Sequence, residues 1–253
     1  MSTKPIILYD IPSNAPGCAW SPNTWIIRYA LNYKNLPFKT IWVEYPDIAD
    51  TCKAIGAAPS MMRRDGSPYY SLPVIADPNT GSVITDSLLI AEYLDDTYPA
   101  TPVVVPKGTH ALQKGFRAGY DALTDGSTSF IMPAVARILR PRSQEYFVRT
   151  REASFEQKLS EMTPSGEARE AAWEKFKMGF ERVSKWLKEG DAFFMGDKPS
   201  YADFVVAGEM QWFLSAFGKD SHEWKDILTW QGGRWAQMVD ELKKYEGPVE
   251  EGP

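Results

Sequence analysis

The hydrophobic pattern of this chain changes character once, near residue 100, and that change limits the folds open to it. Before it, short apolar runs of strand length alternate with helical stripes; after it, helical stripes follow one another. Residues 6–9 form an apolar run suited to a buried central strand, and Asp10 to Gly17 supply loop chemistry. Ser21 suits a helix N-cap, and Pro22 fits the first turn because its missing amide would be unpaired there anyway. Trp25, Ile26, Tyr29, Ala30 and Tyr33 then recur at helical spacing. Ser21 is thereby placed at a strand-to-helix junction.

Residues 39–45 read as a second strand through Ile41, Trp42 and Val43, followed by a short helical stretch over 48–55. The Pro-, Ser-, Gly- and Arg-bearing loop over 56–71 is long for a connection, so it is either ordered against another surface or mobile. Residues 72–77 read as a strand opened by Pro73. Asn79-Thr80-Gly81 turns that strand into a partner at Val83-Ile84-Thr85. Asp86 or Ser87 starts the next helix, with Leu88, Leu89, Ala91, Tyr93 and Leu94 as its buried stripe.

Pro99, Pro102 and Pro106 mark the best boundary, dividing an α/β domain over 1–98 from an all-helical domain over 107–253. Helices are expected over 109–125, 144–162, 166–189, 200–217 and 231–244, with Pro133 and Pro141 interrupting or redirecting the chain. The last eleven residues are expected to fray. Ser200 and Asp203 have the spacing of a capping box, a structural rather than a catalytic signal.

Composition narrows the function classes. A net charge of -5 offers no broad attraction to a polyanion, so nucleic acid is not expected as a partner. No apolar stretch approaches the ~20 residues that span a bilayer, and the first apolar run is too short for a signal peptide; a soluble cytoplasmic protein is expected. His110 and His222 stand apart, and Cys18 and Cys52 form neither a disulfide scaffold nor a metal-ligand set, so no metal is expected. No phosphate-cradling glycine fingerprint occurs. Arg63-Arg64 and Arg137, Arg140 and Arg142 read as solvated or anion-adjacent. Twelve Phe, twelve Tyr and nine Trp make an aromatic-lined cleft plausible without locating it.

The order of elements, Ser21-Pro22 at the first helix, Leu72-Pro73 before the hairpin, Asp86-Ser87 at the third helix and the Ser200 to Asp203 cap together resemble a cytosolic glutathione transferase over nearly the whole chain. The segment Trp20-Ser21-Pro22-Asn23-Thr24-Trp25, the loop before it and the long 56–71 segment are most similar to the fungal Fu-A class, related to bacterial beta-etherases. The resemblance implies a thioredoxin-like domain followed by a helical one, glutathione as co-substrate, and a homodimer. It implies that Ser21 donates a hydrogen bond to the glutathione sulfur, with Asn23 as a further donor. It also implies a cis Leu72-Pro73 bond presenting the Val74 backbone to the cysteinyl unit, with Asp86 and Ser87 holding the γ-glutamyl end.

Each expectation has a plainer counterpart. Ser21, Asp86 and Ser87 are also good helix caps, and Pro73 could open an edge strand in the trans form. Cys18 offers a rival thiol chemistry. Its place three residues before Ser21, with no Cys-x-x-Cys pair, favours an ordinary buried or loop cysteine. For the second substrate, a hydrophobic aromatic or ether-linked electrophile, the resemblance points between the domains, with Trp20, Trp25, Phe116, Tyr120, Phe130, Trp212 and Phe213 as candidate walls. The alternative function is a weakly catalytic carrier, a ligandin, of hydrophobic aromatics; an interaction-only protein would show neither activity nor small-molecule binding.

Overall fold

Four strands, β1 (Ile6–Asp10), β2 (Phe38–Trp42), β5 (Val74–Asp77) and β6 (Ser82–Thr85), form one sheet in the order β2-β1-β5-β6 in the computed structural model, which describes residues 4–248. β1 runs parallel to β2 and antiparallel to β5, as a crossover through helix α1 (Pro22–Tyr33) requires. The all-apolar start of β1 earns its inner place: Ile6 and Leu8 are fully buried. Helix α2 (Ile48–Ala54) follows β2, and α3 (Ser87–Thr97) follows β6. The 56–71 loop carries a miniature ladder, β3 (Met61–Met62) with β4 (Pro68–Tyr69), which has no periodic signature because each strand is two residues long.

One buried ion pair ties α1 to the end of β1. Arg28 Nε donates to Asp10 Oδ2 at 2.9 Å and Arg28 Nη2 to Thr40 Oγ1 at 3.0 Å, while Asp10 Oδ1 accepts the Ile11 amide at 2.7 Å. Both residues are essentially sealed from water, which is tolerable because every charge has a partner.

The rest of the chain is helical: α4 (His110–Thr124), α5 (Thr128–Ile138), α6 (Pro141–Phe155), α7 (Leu159–Met162), α8 (Gly166–Ser184), α9 (Tyr201–Phe217), α10 (His222–Ile227) and α11 (Trp230–Leu242). Four expectations need correction. Leu89, expected in the buried stripe of α3, is 48% exposed. Pro133 lies inside α5 rather than interrupting it, because the Ser129 carbonyl, four residues back, is bonded instead by the Thr163 hydroxyl at 2.8 Å. The helix expected over 144–162 is two, broken where Glu156 adopts φ 53°, and the first begins at Pro141. The tail is docked through residue 248: Tyr245 packs edge-on against Tyr33 at 5.0 Å, and the Glu246 carbonyl accepts from Asn32. Residues 249–253 of the tail lie outside the described residues.

α9 is buried on nearly every side and packs along α1. Gly208 permits this approach, since a Cβ there would meet the Pro22 carbonyl oxygen at 2.5 Å. Among the described residues, no helix is long and apolar enough to cross a membrane.

Candidate functional site

Ser21 occupies the N-cap of α1 with φ -68° and ψ 127°, but its side chain makes no capping hydrogen bond. In the first turn Pro22 carries no amide, and the Thr24 hydroxyl donates to the Ser21 carbonyl at 3.0 Å rather than to its side chain. The Ser21 side chain instead lines a cavity of ≈ 540 Å³, joined by Asn23 from the same turn. The first amides of a helix carry partial positive charge and stabilise an anion there by roughly 0.3–1 kcal/mol.

The Leu72-Pro73 bond is cis, and Leu72 lines the same cavity. Val74, expected to make a strand-like contact, does not line it. Val74 is already paired with Tyr9 on one side and Thr85 on the other, whereas Leu72 stands before the ladder begins. The Val74–Thr85 register also sets Asp86 and Ser87 beside this corner of the sheet, though neither lines the cavity. Asp86, at φ 80°, caps α3: its Oδ1 accepts from Leu88 N at 2.9 Å and Leu89 N at 3.2 Å. Its Oδ2 accepts no hydrogen bond among the described residues. The Ser87 hydroxyl lies 2.8 Å from that of Tyr201, a partner with no local sequence signal.

The opposite wall differs from the expected one. It is built from Tyr45, Tyr69, Tyr70 and Tyr146, with Lys53, Arg63 and Arg151 as its cations. Tyr45 stacks on Tyr146 at 5.9 Å, and burial pushes its phenol pKa upward, so it stays protonated near neutrality. Arg142 grips Asp47 through two 2.9 Å bonds, and Ser143 bonds both the Tyr45 amide and the Glu44 carboxylate, latching α6 onto the turn before α2. These tyrosines come from three stretches of chain far apart in sequence. The arginine pair and the overlong 56–71 loop were the only hints of this wall.

None of the seven aromatic residues proposed for the second-substrate wall lines this cavity. Trp20 is buried behind it, 6.2 Å from Tyr45. Tyr120 and Phe213 are fully buried core, and Phe130 packs edge-on against Trp173 at 4.9 Å. Phe116 lines a surface groove with Leu112, Trp186 and Met195; Trp212 lines a smaller cavity behind Pro22; Trp25 lines a third. All but Trp20 recur at helical spacing, and that spacing reports burial without saying against what.

Cys18 is buried in the loop before α1, with Arg140 Nη2 3.8 Å from its sulfur. Burial raises its thiol pKa, the opposite of what a reactive cysteine needs.

Comparison with known proteins agrees with this geometry. The glutathione S-transferase N-terminal domain family matches residues 20–97, and the glutathione S-transferase C-terminal domain family matches residues 111–245. A glutathione S-transferase-like protein, ustS, of Aspergillus flavus is 31% identical over 93% of this chain and 88% of its own length. A glutathione S-transferase of Ceriporiopsis subvermispora, crystallised in complex with glutathione, is 49% identical with a TM-score of 0.92, covering 96% of this chain and 98% of that one. The glutathione transferase GSTFuA3 from Phanerochaete chrysosporium is 41% identical with a TM-score of 0.91, covering 97% and 98%.

Proposed function

The chain belongs to the glutathione S-transferase family, and we propose that Ser21 is the residue through which it activates the glutathione thiol for attack on hydrophobic aromatic or ether-linked electrophiles. The observation that carries this reading is the Ser21 hydroxyl itself, an N-cap side chain that caps nothing and faces a cavity. The Ceriporiopsis relative is a complex with glutathione, and the corner of the sheet described above suits that tripeptide.

In this reading the Leu72 backbone pairs with the cysteinyl unit, leaving the sulfur near Ser21. The α3 amides and the Ser87 hydroxyl hold the γ-glutamyl carboxylate, while the free oxygen of Asp86 takes its ammonium. Lys53 and Arg63 supply positive charge for the glycyl carboxylate. An ordinary thiol has a pKa near 8.5, and each unit of lowering corresponds to about 1.36 kcal/mol of preference for the anion. A hydroxyl donor and the helix N-terminus act on the thiolate together, and Asn23 adds a further amide donor. Serine stays a donor throughout. The thiolate is the nucleophile: its lone pair forms the new carbon–sulfur bond as the electrophile's leaving group departs, an aryloxide if an aryl ether is cleaved.

The tyrosine wall supports an aromatic second substrate, stacked on Tyr45 and Tyr146 and oriented by Arg151. Exposed apolar side chains at Leu112, Trp186 and Met195 support the homodimer, which would cover them. The absence of a membrane-crossing helix among the described residues is compatible with the cytoplasmic location proposed.

The deciding experiment is Ser21→Ala assayed at saturating glutathione, with the bound thiol titrated by its thiolate absorbance. Turnover should fall about 100-fold, the usual cost of one donor to a developing anion, and the bound thiol pKa should rise by about 1–2 units. Unchanged turnover with an unchanged thiol pKa would remove Ser21 from the chemistry.

A further inference from the structure

The reactive cleft is unbalanced in charge. Lys53, Arg63 and Arg151 line it, and no aspartate or glutamate does. We propose that the cleft selects electrophiles whose aromatic ring carries a carboxylate, and that Arg151 makes this selection. The inference rests on the reading above, in which sulfur is activated at Ser21 and the second substrate stacks on the tyrosine wall.

The acidic residues close to Tyr45 in sequence are spent elsewhere: Glu44 accepts the Ser143 hydroxyl, and Asp47 is held by Arg142. The two cations assigned above to the glycyl carboxylate are also partly engaged. Lys53 lies 3.5 Å from Asp50 on its own helix, and Arg63 donates to the Pro68 carbonyl at 3.0 Å and the Ser67 hydroxyl at 3.3 Å within its hairpin.

Arg151 is different. It is half-buried on α6, and its one hydrogen bond among the described residues runs from Nη1 to Thr150 Oγ1 at 3.3 Å. Among the described residues it forms no ion pair. Its Nε and Nη2 are therefore unspent, and neither is sealed from water. These donors share one edge of the guanidinium, the fork that a carboxylate meets with two parallel bonds.

The fork is also held in place. Its central carbon stands 4.8 Å from the Phe147 ring centroid and 5.9 Å from that of Tyr45. Tyr45 in turn lies nearly parallel to Tyr146, at 10°, and its amide accepts no freedom from α6, being bonded to Ser143 at 2.9 Å. A ring stacked on this wall has the guanidinium beside it. Bound glutathione would bring the thiolate and the glycyl carboxylate to three cations, its γ-glutamyl charges being met at α3 and Asp86. One positive charge is left over, and Arg151 is the cation on the second-substrate side. An aromatic acid uses both the ring and the charge; a neutral ester or ether uses only the ring.

The test compares two benzylic chlorides, 4-(chloromethyl)benzoate and its methyl ester, with the full-length protein at saturating glutathione. In both, the thiolate forms the carbon–sulfur bond at the benzylic carbon as chloride leaves with the bonding pair. Dividing each kcat/KM by the rate constant of the uncatalysed reaction with glutathione removes the difference in intrinsic reactivity. We expect the acid to exceed the ester by about tenfold or more, chiefly through KM, as a charge-assisted fork should give. Arg151→Gln should bring the ratio to about one without raising the KM for glutathione, and Arg151→Lys should restore part of it. Ser21→Ala should lower turnover of both compounds and keep the ratio.

A wild-type ratio near one, with both compounds turned over, would overturn this proposal and leave the Ser21 reading standing. Turnover of neither would overturn both. A raised KM for glutathione in Arg151→Gln, with the acid-to-ester ratio unchanged, would move Arg151 to the glycyl carboxylate and remove it from substrate selection. If Arg151→Gln does not fold, the wild-type ratio and Arg151→Lys decide.

Discussion

Among the helices with a serine at the N-cap, α1 and α9 treat it in opposite ways. At α9 the reciprocal cap is closed: Asp203 Oδ2 accepts from the Ser200 amide at 2.8 Å and its hydroxyl at 2.9 Å, while Oδ1 accepts the Phe194 amide at 2.9 Å. At α1 the corresponding third position is Thr24, whose hydroxyl turns to the Ser21 carbonyl and leaves the Ser21 side chain uncapped. The first arrangement consumes its polar groups in holding the fold. The second keeps a donor in reserve beside a cavity, and departures of this kind from local rules are where function is expected.

The largest test of the contrast is Asp203→Ala. It orphans buried donors at the start of the most deeply buried helix, so denaturant unfolding should show a loss of about 3 kcal/mol, with turnover per folded molecule nearly intact. A loss below about 1 kcal/mol would deny the α9 cap its structural role. The converse change, Thr24→Asp, builds a closed cap at α1. It should engage the Ser21 hydroxyl and set a negative charge near the sulfur, lowering turnover at saturating glutathione about tenfold and raising the bound thiol pKa. A fully active Thr24→Asp enzyme would break the comparison.

A further test concerns a second carboxyl on α9. Burial pushes Asp203 up to about 6 against the pull of its three donors, but pushes Glu209 up to about 7, where the nearby Tyr120 hydroxyl falls short of hydrogen-bond geometry. Because the folded pKa of Glu209 lies above its ordinary value, ionisation favours the unfolded chain. The resulting penalty is absent below about pH 4.5 and grows as pH rises through about 7. Glu209→Gln should therefore gain roughly 2 kcal/mol relative to wild type between pH 5 and pH 8. A stability difference that is flat over this range would contradict the burial of an ionisable Glu209.

What could be read from sequence followed the range of the forces involved. The apolar run over residues 6–9, the turn at Asn79-Thr80-Gly81 and the Ser200 to Asp203 cap act over a few residues, and each appears as expected. Pro133 misled because its disruption is repaired by Thr163, thirty-four residues beyond the Ser129 carbonyl it bonds. The tail misled because its anchors, Tyr33 and Gln211, lie on other helices. At the site, Ser21, Asn23 and Leu72 converge on one cavity, whereas Val74 is paired within the sheet on both sides, which strand register alone reveals.

By itself the sequence determined the α/β and helical halves and the position of Ser21 at a helix start, because periodicity, caps and prolines act locally along the chain. Only the tertiary structure decided which aromatics face the reactive cleft. Tyr45, Tyr69 and Tyr146 meet there because α6 is latched onto the turn before α2 and the β3–β4 ladder orders its loop, while the tryptophans and phenylalanines with stronger periodicity were drawn into the core. Periodicity says that a side chain will be buried; packing alone chooses its neighbours.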